Sequence, residues 1–208
     1  MSSALAERHA VDHPLLENGA MMQRLEFHAL FSDCEDLEYV ELIEGVVYLP
    51  SPIKLAGHGR QQSITLAWLD HFVGDRVDIE WSSPVSVLLD DDNEPIPDAI
   101  LFRTGSVRLE DGYLVGAPEL ILEVANSTRS RDLNQKKRAY ERNGVKEYIV
   151  WRTRDKAIDW FDLRQGVYVR REPDDRGIIE SREFPGLRLD VSAMVALDRR
   201  RVLAALRP

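Results

Sequence analysis

Cysteine is nearly absent from this sequence of 208 residues, since Cys34 is the only one. A single cysteine excludes an internal disulfide and a thiolate metal cluster within one chain, and it is typical of a reducing compartment. The sequence also lacks an apolar run of about 18 residues, which a transmembrane helix requires, and a basic start with an apolar core, which marks a signal peptide. We therefore expect a cytoplasmic protein that does not enter a membrane.

Signatures of several common enzyme classes are missing as well. No G-x-S-x-G sequence occurs, which argues against a serine hydrolase, and neither a P-loop nor a dinucleotide-binding fingerprint is present. Positive charge is also scarce, because 36 acidic residues outnumber 27 lysines and arginines and give a net charge of −9. Nonspecific duplex binding depends on cations that displace counterions, so the chain as a whole is not a general nucleic-acid binder.

Two carboxylates do occur beside or inside apolar segments of strand length. Glu123 lies within residues 120–125, LILEVA, a run that predicts a strand buried on both faces. Asp98 follows a proline and precedes the apolar residues 99–102. A carboxylate in an apolar strand is costly unless it is paired, protonated or bound to a cation. The pattern predicts two carboxylates that converge from two core strands, with a turn role for Asp98 and a buried salt bridge for Glu123 as the structural alternatives.

A hard cation would explain these carboxylates. Mg²⁺ prefers oxygen ligands, usually one or two carboxylates completed by water and substrate phosphate. Lys136 on the next predicted helix could then orient or deprotonate the attacking water and offset charge on phosphorus. Taken alone, Lys136 is more typical of a solvated helix residue, so the order and spacing of the three groups support the metal hypothesis.

The apolar periodicity predicts a mixed α/β chain. Ile64, Trp68 and Phe72 recur every four residues and predict a helix over residues 58–73. The order of strands, a crossover helix and a further strand indicates a mixed β-sheet flanked by α-helices, in one domain over residues 19–208 after a flexible tail over 1–18. Further helices are predicted at 20–31, 131–143 and 191–206, and strands at 39–43, 46–49, 77–81, 85–89, 99–102, 120–125, 148–151, 157–162 and 167–171.

The layout of these groups resembles the PD-(D/E)xK nuclease superfamily and, within it, the Uma-two family of putative restriction endonucleases. In that family the lysine lies on the following helix, and Ala125 here occupies the position two residues after Glu123. The resemblance covers about residues 21–195 and departs from the family in a shorter loop at 126–128. The matching residues are Asp98, Glu123, Asp132, Lys136, Tyr140, Gly144-Val145, Glu147-Tyr148, Glu41, Glu44-Gly45, His58 and the segment 184–189.

The resemblance implies a restriction-endonuclease-like fold and a Mg²⁺- or Mn²⁺-dependent endonuclease that hydrolyses phosphodiester bonds in DNA. Asp98 and Glu123 would bind the metal and Lys136 would assist the water. Three auxiliary residues have a plainer alternative each. Glu41 is a third carboxylate or water positioner, or a solvent-facing strand residue. His58 is a phosphate contact or proton relay, or simply lies near a helix start. Asp132 shares a helix face with Lys136 and is an auxiliary site residue, or only holds the lysine in place.

Residues 128–146 carry seven basic and two acidic side chains, a local charge of +5 in a chain whose remainder carries −14. A basic helix beside the site could contact a phosphate backbone, or it could be a solvated helix face. The acidic residues 90–94 predict a hairpin tip, with a ligand of a second metal as the lesser alternative. The residues expected to bind nucleic acid are Arg129, Arg131, Lys137, Arg138 and Arg142.

Three functions are compatible with these patterns. The first is a metal-dependent DNA endonuclease, and the second is a noncatalytic nuclease-fold domain that binds nucleic acid or a protein partner. The third is a metal-dependent phosphodiesterase with a substrate smaller than DNA. The presence of Asp98, Glu123 and Lys136 together favours the endonuclease, whereas the acidic net charge argues against it. The chain could also form a homodimer.

Overall fold

The structure is a computed structural model that describes residues 16–34, 37–50 and 55–207 of the chain. Residues 1–15 of the predicted N-terminal tail lie outside this range. At the end of that tail, Leu16 is buried in a small apolar core, and Asn18 Oδ1 accepts a hydrogen bond from the backbone N–H of Leu49 at 3.2 Å. No helix within the described residues is both long and apolar enough to cross a membrane.

Helices and strands are interleaved along the chain, as the sequence predicts. The helices are α1 (Arg24–Ser32), α2 (Arg60–Val73), α3 (Arg129–Arg131), α4 (Lys137–Asn143), α5 (Val191–Val195) and α6 (Arg199–Ala204), with π-helical turns at Leu55–Gly59 and Asp132–Lys136. The strands are β1 (Glu41–Ile43), β2 (Val46–Tyr48), β3 (Ile79–Ser82), β4 (Val87–Leu88), β5 (Ala99–Arg103), β6 (Arg108–Glu110), β7 (Tyr113–Val115), β8 (Leu120–Ala125), β9 (Glu147–Arg152), β10 (Ala157–Arg164), β11 (Val167–Arg171), β12 (Ile178–Glu180) and β13 (Arg188–Asp190).

A six-stranded mixed sheet forms the centre of the fold, in the order β11-β10-β9-β8-β5-β3. Strands β8 and β9 pair in parallel, and every other neighbouring pair is antiparallel. The two parallel strands are joined by a continuous helical segment over residues 129–143, which we call the site helix. All six residues of β8 are buried, as expected of a strand covered on both faces. The predicted mixed sheet flanked by helices is therefore confirmed.

Each face of the sheet has its own apolar core. On one face, Trp68 and Phe72 of α2 pack with Trp160 and with the segment that contains Phe184. On the other face, Tyr140 of the site helix packs with sheet residues that include Ile121. Residues alternate between the two faces along a strand, so Glu123, two positions after Ile121, faces the site helix.

A hairpin of β1 and β2 lies beside the sheet. Its turn residues Glu44 and Gly45 both have positive φ, 51° and 73°, as a two-residue turn matched to the strand twist requires. Backbone hydrogen bonds between Leu42 and Glu94 in both directions, at 3.1 and 2.8 Å, attach the hairpin to the segment before β5. This attachment holds β1 beside the segment that leads to Asp98.

Several predicted elements need correction. The predicted C-terminal helix over 191–206 is two helices, because Leu197 has φ 58° and the Asp198 side chain caps a new helix by accepting from the Arg201 N–H. The first helix begins at Arg24 instead of residue 20, since Ala20 bonds to the hairpin. Two short antiparallel pairs, β6 with β7 and β12 with β13, were not predicted.

Candidate active site

A cavity of about 470 Å³ opens at the C-terminal ends of the parallel strands β8 and β9. The start of β5 lies at the same edge, because β5 runs antiparallel to β8. Residues from the β1–β2 hairpin line the cavity from another side. All six residues that the sequence analysis assigned to catalysis or its support line this one cavity: Glu41, His58, Asp98, Glu123, Asp132 and Lys136.

Asp98 and Glu123 lie on the same face of the sheet. The antiparallel register pairs Ala99 with Leu122, which places Asp98 opposite Glu123 at the next position. Residues directly opposite each other in an antiparallel pair have neighbouring side chains on one face. Asp98 is fixed further by its Oδ2, which accepts a hydrogen bond from the backbone N–H of Val124 at 2.7 Å.

Lys136 joins two buried carboxylates, one from β1 and one from β8. Its Nζ lies 2.6 Å from Glu41 Oε1 and 2.8 Å from Glu123 Oε1. Tyr140, one helical turn later, donates its hydroxyl to the same Glu123 Oε1 at 2.8 Å. Only 3% of Lys136 is exposed, so this ammonium exchanges water for two carboxylates and forms a buried ion network.

Two hydrogen bonds at Asp132 hold the turn of the site helix that precedes this lysine. Near its start, the Thr128 hydroxyl donates to Asp132 Oδ2 at 2.6 Å. From the sheet, the Tyr148 hydroxyl donates to the backbone carbonyl of Asp132 at 2.9 Å. The predicted common face of Asp132, Lys136 and Tyr140 is confirmed, since all three are buried.

Glu41 is held by groups besides the lysine. The backbone N–H of Ile96 donates to Glu41 Oε1 at 2.9 Å, and Arg131 Nη2 lies 3.3 Å from Glu41 Oε2. The Arg131 guanidinium also stacks over the ring of Tyr48, 4.5 Å from its centroid. Glu41 is therefore a buried part of the site and not a solvent-facing strand residue.

His58 lies between strand β8 and the carboxylate of Asp98. Its Nδ1 lies 3.1 Å from the Val124 carbonyl oxygen, and its Nε2 lies 3.1 Å from Asp98 Oδ1. The hydrogen bond to Asp98 raises the pKa of His58, although burial opposes the shift. The residue lies in the π-helical turn before α2, not in the helix itself.

Burial and repulsion both act on the Glu123 carboxylate. Burial raises the pKa of Glu123 well above its ordinary value, Lys136 opposes that shift, and Asp132, Asp98 and Glu41 add to it. Burial also disfavours the charge of Lys136, but Glu123, Glu41 and Asp132 outweigh it and raise the lysine pKa above its ordinary value. Lys136 is therefore a fixed cation in this arrangement, which suits charge stabilisation better than proton abstraction.

The donor set suits a divalent cation. Carboxylates outnumber the lysine and arginines that line the cavity, four to three. Both hydrogen bonds that the described residues give Glu123 end on Oε1, so Oε2 is left for a metal. No cluster of three or more histidine, cysteine or acidic ligands is arranged for a metal within the described residues, but Mg²⁺ commonly binds through only one or two carboxylates and water.

The basic residues of the site helix are largely paired with acidic residues of the same chain. Arg138 makes a two-pronged contact with Glu44 in the hairpin turn, at 2.8 and 2.7 Å. Arg142 contacts Asp90 Oδ2 at 3.1 and 2.9 Å. These arginines lie outside the cavity and attach the site helix to two acidic turns.

The remaining basic residues differ in position. Arg129 pairs with Asp155, and the Lys137 ammonium lies over the Phe161 ring, 4.1 Å from its centroid. Neither lines the cavity, whereas Arg131 does. The sequence analysis missed Arg154, which lines the cavity just after β9 and donates from Nε to Asn126 Oδ1 at 2.8 Å. Its position after a strand, opposite the loop that follows Glu123, is the only sequence signal for it.

The acidic residues 90–94 form a tight turn, with a bridge between Asp90 and Asn93. None of them lines the cavity. Glu94 is buried against the His28 ring, 2.9 Å from its Nδ1. This matches the predicted hairpin tip and gives no support to a second metal at these residues.

Comparison with known proteins identifies the fold and the family of the chain. No curated protein matches the chain. Among solved structures, the chain is similar to the crystal structure of a putative nuclease belonging to DUF820 from Anabaena variabilis ATCC 29413, with a TM-score of 0.63 and 15% identity over 80% of this chain and 97% of that one. At this identity the likeness shows a shared fold. The family model of Uma2, described as a putative restriction endonuclease, matches residues 25–192, and the chain therefore belongs to the Uma2 family.

Proposed function

We propose that this protein is a divalent-metal-dependent endonuclease that hydrolyses phosphodiester bonds in DNA. One observation carries the proposal: the carboxylates of Asp98 and Glu123 share a sheet face at the edge of a cavity, beside the buried ammonium of Lys136. These are the groups that metal-assisted cleavage of a phosphodiester needs. We also propose that the protein is cytoplasmic, because a chain with a single cysteine is typical of a reducing compartment.

The metal would be held by Asp98 and by Glu123 Oε2, with water completing the shell. Bound Mg²⁺ or Mn²⁺ would polarise a phosphate oxygen and lower the pKa of a coordinated water. Hydrolysis adds the water oxygen to phosphorus as the bond to the leaving oxygen breaks, and the leaving oxygen takes up a proton. His58 would position Asp98, because its Nε2 contacts Oδ1 while the backbone of Val124 holds both side chains.

Lys136 would stabilise the charge that develops on the phosphate oxygens. It is suited to this role because Glu41 and Glu123 fix the ammonium and keep it charged. A preorganised cation in a water-poor site is worth more than the same charge in water. Tyr140 would hold Glu123 Oε1 in place, since burial raises the pKa of its hydroxyl well above the ordinary value and the group therefore stays a donor.

Replacing Glu123 with glutamine should abolish metal-dependent cleavage, because the amide keeps the shape of the side chain and removes its charge. We expect supercoiled plasmid to be nicked by the wild type with Mg²⁺ or Mn²⁺ and not with EDTA, and the Glu123→Gln rate to fall by at least roughly two orders of magnitude. Glu110→Gln is the matched control, since Glu110 is an exposed strand carboxylate outside the cavity. Cleavage that survives EDTA or Glu123→Gln would contradict the proposal. Absence of any wild-type cleavage would favour a noncatalytic binding domain.

Lys136 and its neighbour Lys137 should behave very differently when each is replaced by alanine. Lys136→Ala removes the cation that joins Glu41 to Glu123 and leaves Glu123 without a cationic partner, so we expect a loss of about 3–5 kcal/mol in unfolding free energy. The single-turnover cleavage rate should fall by roughly two to four orders of magnitude. Among the described residues, Lys137→Ala removes a contact with the Phe161 ring, which is worth about 0.5–1 kcal/mol. Denaturant unfolding and single-turnover cleavage measure both effects, and an inactive Lys137→Ala beside a normal Lys136→Ala would refute the assignment.

Exchanging the charges of Arg138 and Glu44 separates a structural from a DNA-binding role for the site helix. Arg138→Glu alone should lower the melting temperature, because two carboxylates then oppose each other. The double variant Arg138→Glu/Glu44→Arg should recover stability, since it restores the ion pair. We expect its DNA affinity and salt dependence, measured by fluorescence anisotropy, to equal those of the wild type. Weaker DNA binding by a stable double variant would instead show that Arg138 contacts the phosphate backbone.

A further inference from the structure

One wall of the cavity carries apolar side chains that metal-dependent hydrolysis does not require. Tyr39, Leu49, Pro50 and Ile96 line it together with the charged groups. Tyr39 is 44% exposed, although it is a large aromatic residue. Its backbone has φ 60°, a left-handed conformation that is uncommon for a bulky residue. Such strain is held only where the surrounding structure fixes it, and it occurs often at ligand sites.

The depth of the site restricts what can reach it. Glu123 and Lys136 are each only 3% exposed, and Asp132 is 1% exposed. A phosphate group must therefore enter the cavity to approach them. The volume of about 470 Å³ lies in the range of pockets that enclose small molecules. This is room for one nucleotide that has left its helix, in the way that enzymes acting on extruded nucleotides take them from the stack.

The cations near the cavity are few and mostly engaged. Arg131 and Lys136 both contact Glu41. Arg154 is the exception, because it lines the cavity and has no carboxylate partner in the part of the chain that the structure describes. Outside the cavity, Arg138 and Arg142 are paired within the chain. This arrangement gives one available phosphate contact at the cavity and little to follow the two backbones of a duplex.

We propose that the cavity receives an unpaired nucleotide of single-stranded DNA, with Tyr39 stacked on the base and Arg154 on a phosphate next to it. Stacking on an aromatic side chain suits single strands because every base has a π-face. The inference rests on the proposed function for the bond that is cleaved, but the binding itself does not depend on metal. It assigns Tyr39 and Arg154 as the residues that select unpaired over paired substrate.

Binding without metal tests this directly. A fluorescein-labelled oligonucleotide is titrated with wild-type protein in EDTA, either as a single strand or annealed to its complement, and anisotropy is recorded. We expect the single strand to bind at least about tenfold more tightly than the duplex. Tyr39→Asn should weaken single-strand binding by roughly 5- to 100-fold, because asparagine tolerates the left-handed backbone and lacks the ring. Tyr39→Phe is the matched control and should bind like the wild type.

Arg154→Gln should also weaken single-strand binding and reduce its salt dependence by about one phosphate contact. Equal or tighter binding of the duplex, no binding of either oligonucleotide, or wild-type binding by Tyr39→Asn would each overturn the inference. Cleavage of the same oligonucleotides with Mn²⁺ separates the two claims. If the single strand binds in a Tyr39-dependent way but is not cleaved, the binding inference holds and the proposed endonuclease activity is refuted. If the duplex is cleaved as fast as the single strand and Tyr39→Asn has no effect, the proposed endonuclease activity holds and the inference of single-strand selection is refuted.

Discussion

The ammonium of Lys136, buried between Glu41 and Glu123, is the interaction on which the site depends. It connects three separate parts of the fold: the β1–β2 hairpin, the central strand β8 and the site helix. Buried charges are tolerated only with close partners and good geometry, so each of these elements must be in place for the others to be stable. Both hydrogen bonds to Glu123 end on Oε1, and Asp98 lies on the same sheet face at the cavity. A divalent cation there would relieve the repulsion among the carboxylates.

Much of the pattern that identifies the family serves to position this network. Glu44 pairs with Arg138, and Gly45 completes the hairpin turn. Together they fix the position of the β1–β2 hairpin, and so of Glu41, relative to the site helix. Gly144 ends that helix in the left-handed conformation, with φ 83°. Tyr148 then bonds the backbone of Asp132, so the strand after the helix fixes the turn before Lys136. These motif residues therefore lie outside the proposed metal site but position the backbone that carries it.

The sequence predicts the site better than it predicts the surroundings. Glu123 inside an apolar strand and Lys136 on the helix face of Tyr140 are local signals, and both residues line the cavity. The contacts of Glu41 with Lys136 and of Arg138 with Glu44 join distant segments, so spacing along the chain cannot reveal them. For the same reason the sequence does not show that most basic side chains of the site helix are paired with carboxylates. The β6–β7 hairpin did have a local signal in Asp111-Gly112, whose positive φ values of 50° and 88° suit a two-residue turn.

Locating a bound metal tests the central claim most directly. Crystals grown with Mn²⁺ would show it by anomalous diffraction collected near the manganese absorption edge. The account predicts a peak in the cavity roughly 2.1 Å from a carboxylate oxygen of Asp98 and from Glu123 Oε2, with Lys136 still bound to Oε1. A peak at the acidic turn of residues 90–94 instead, or an empty cavity at saturating Mn²⁺, would contradict it.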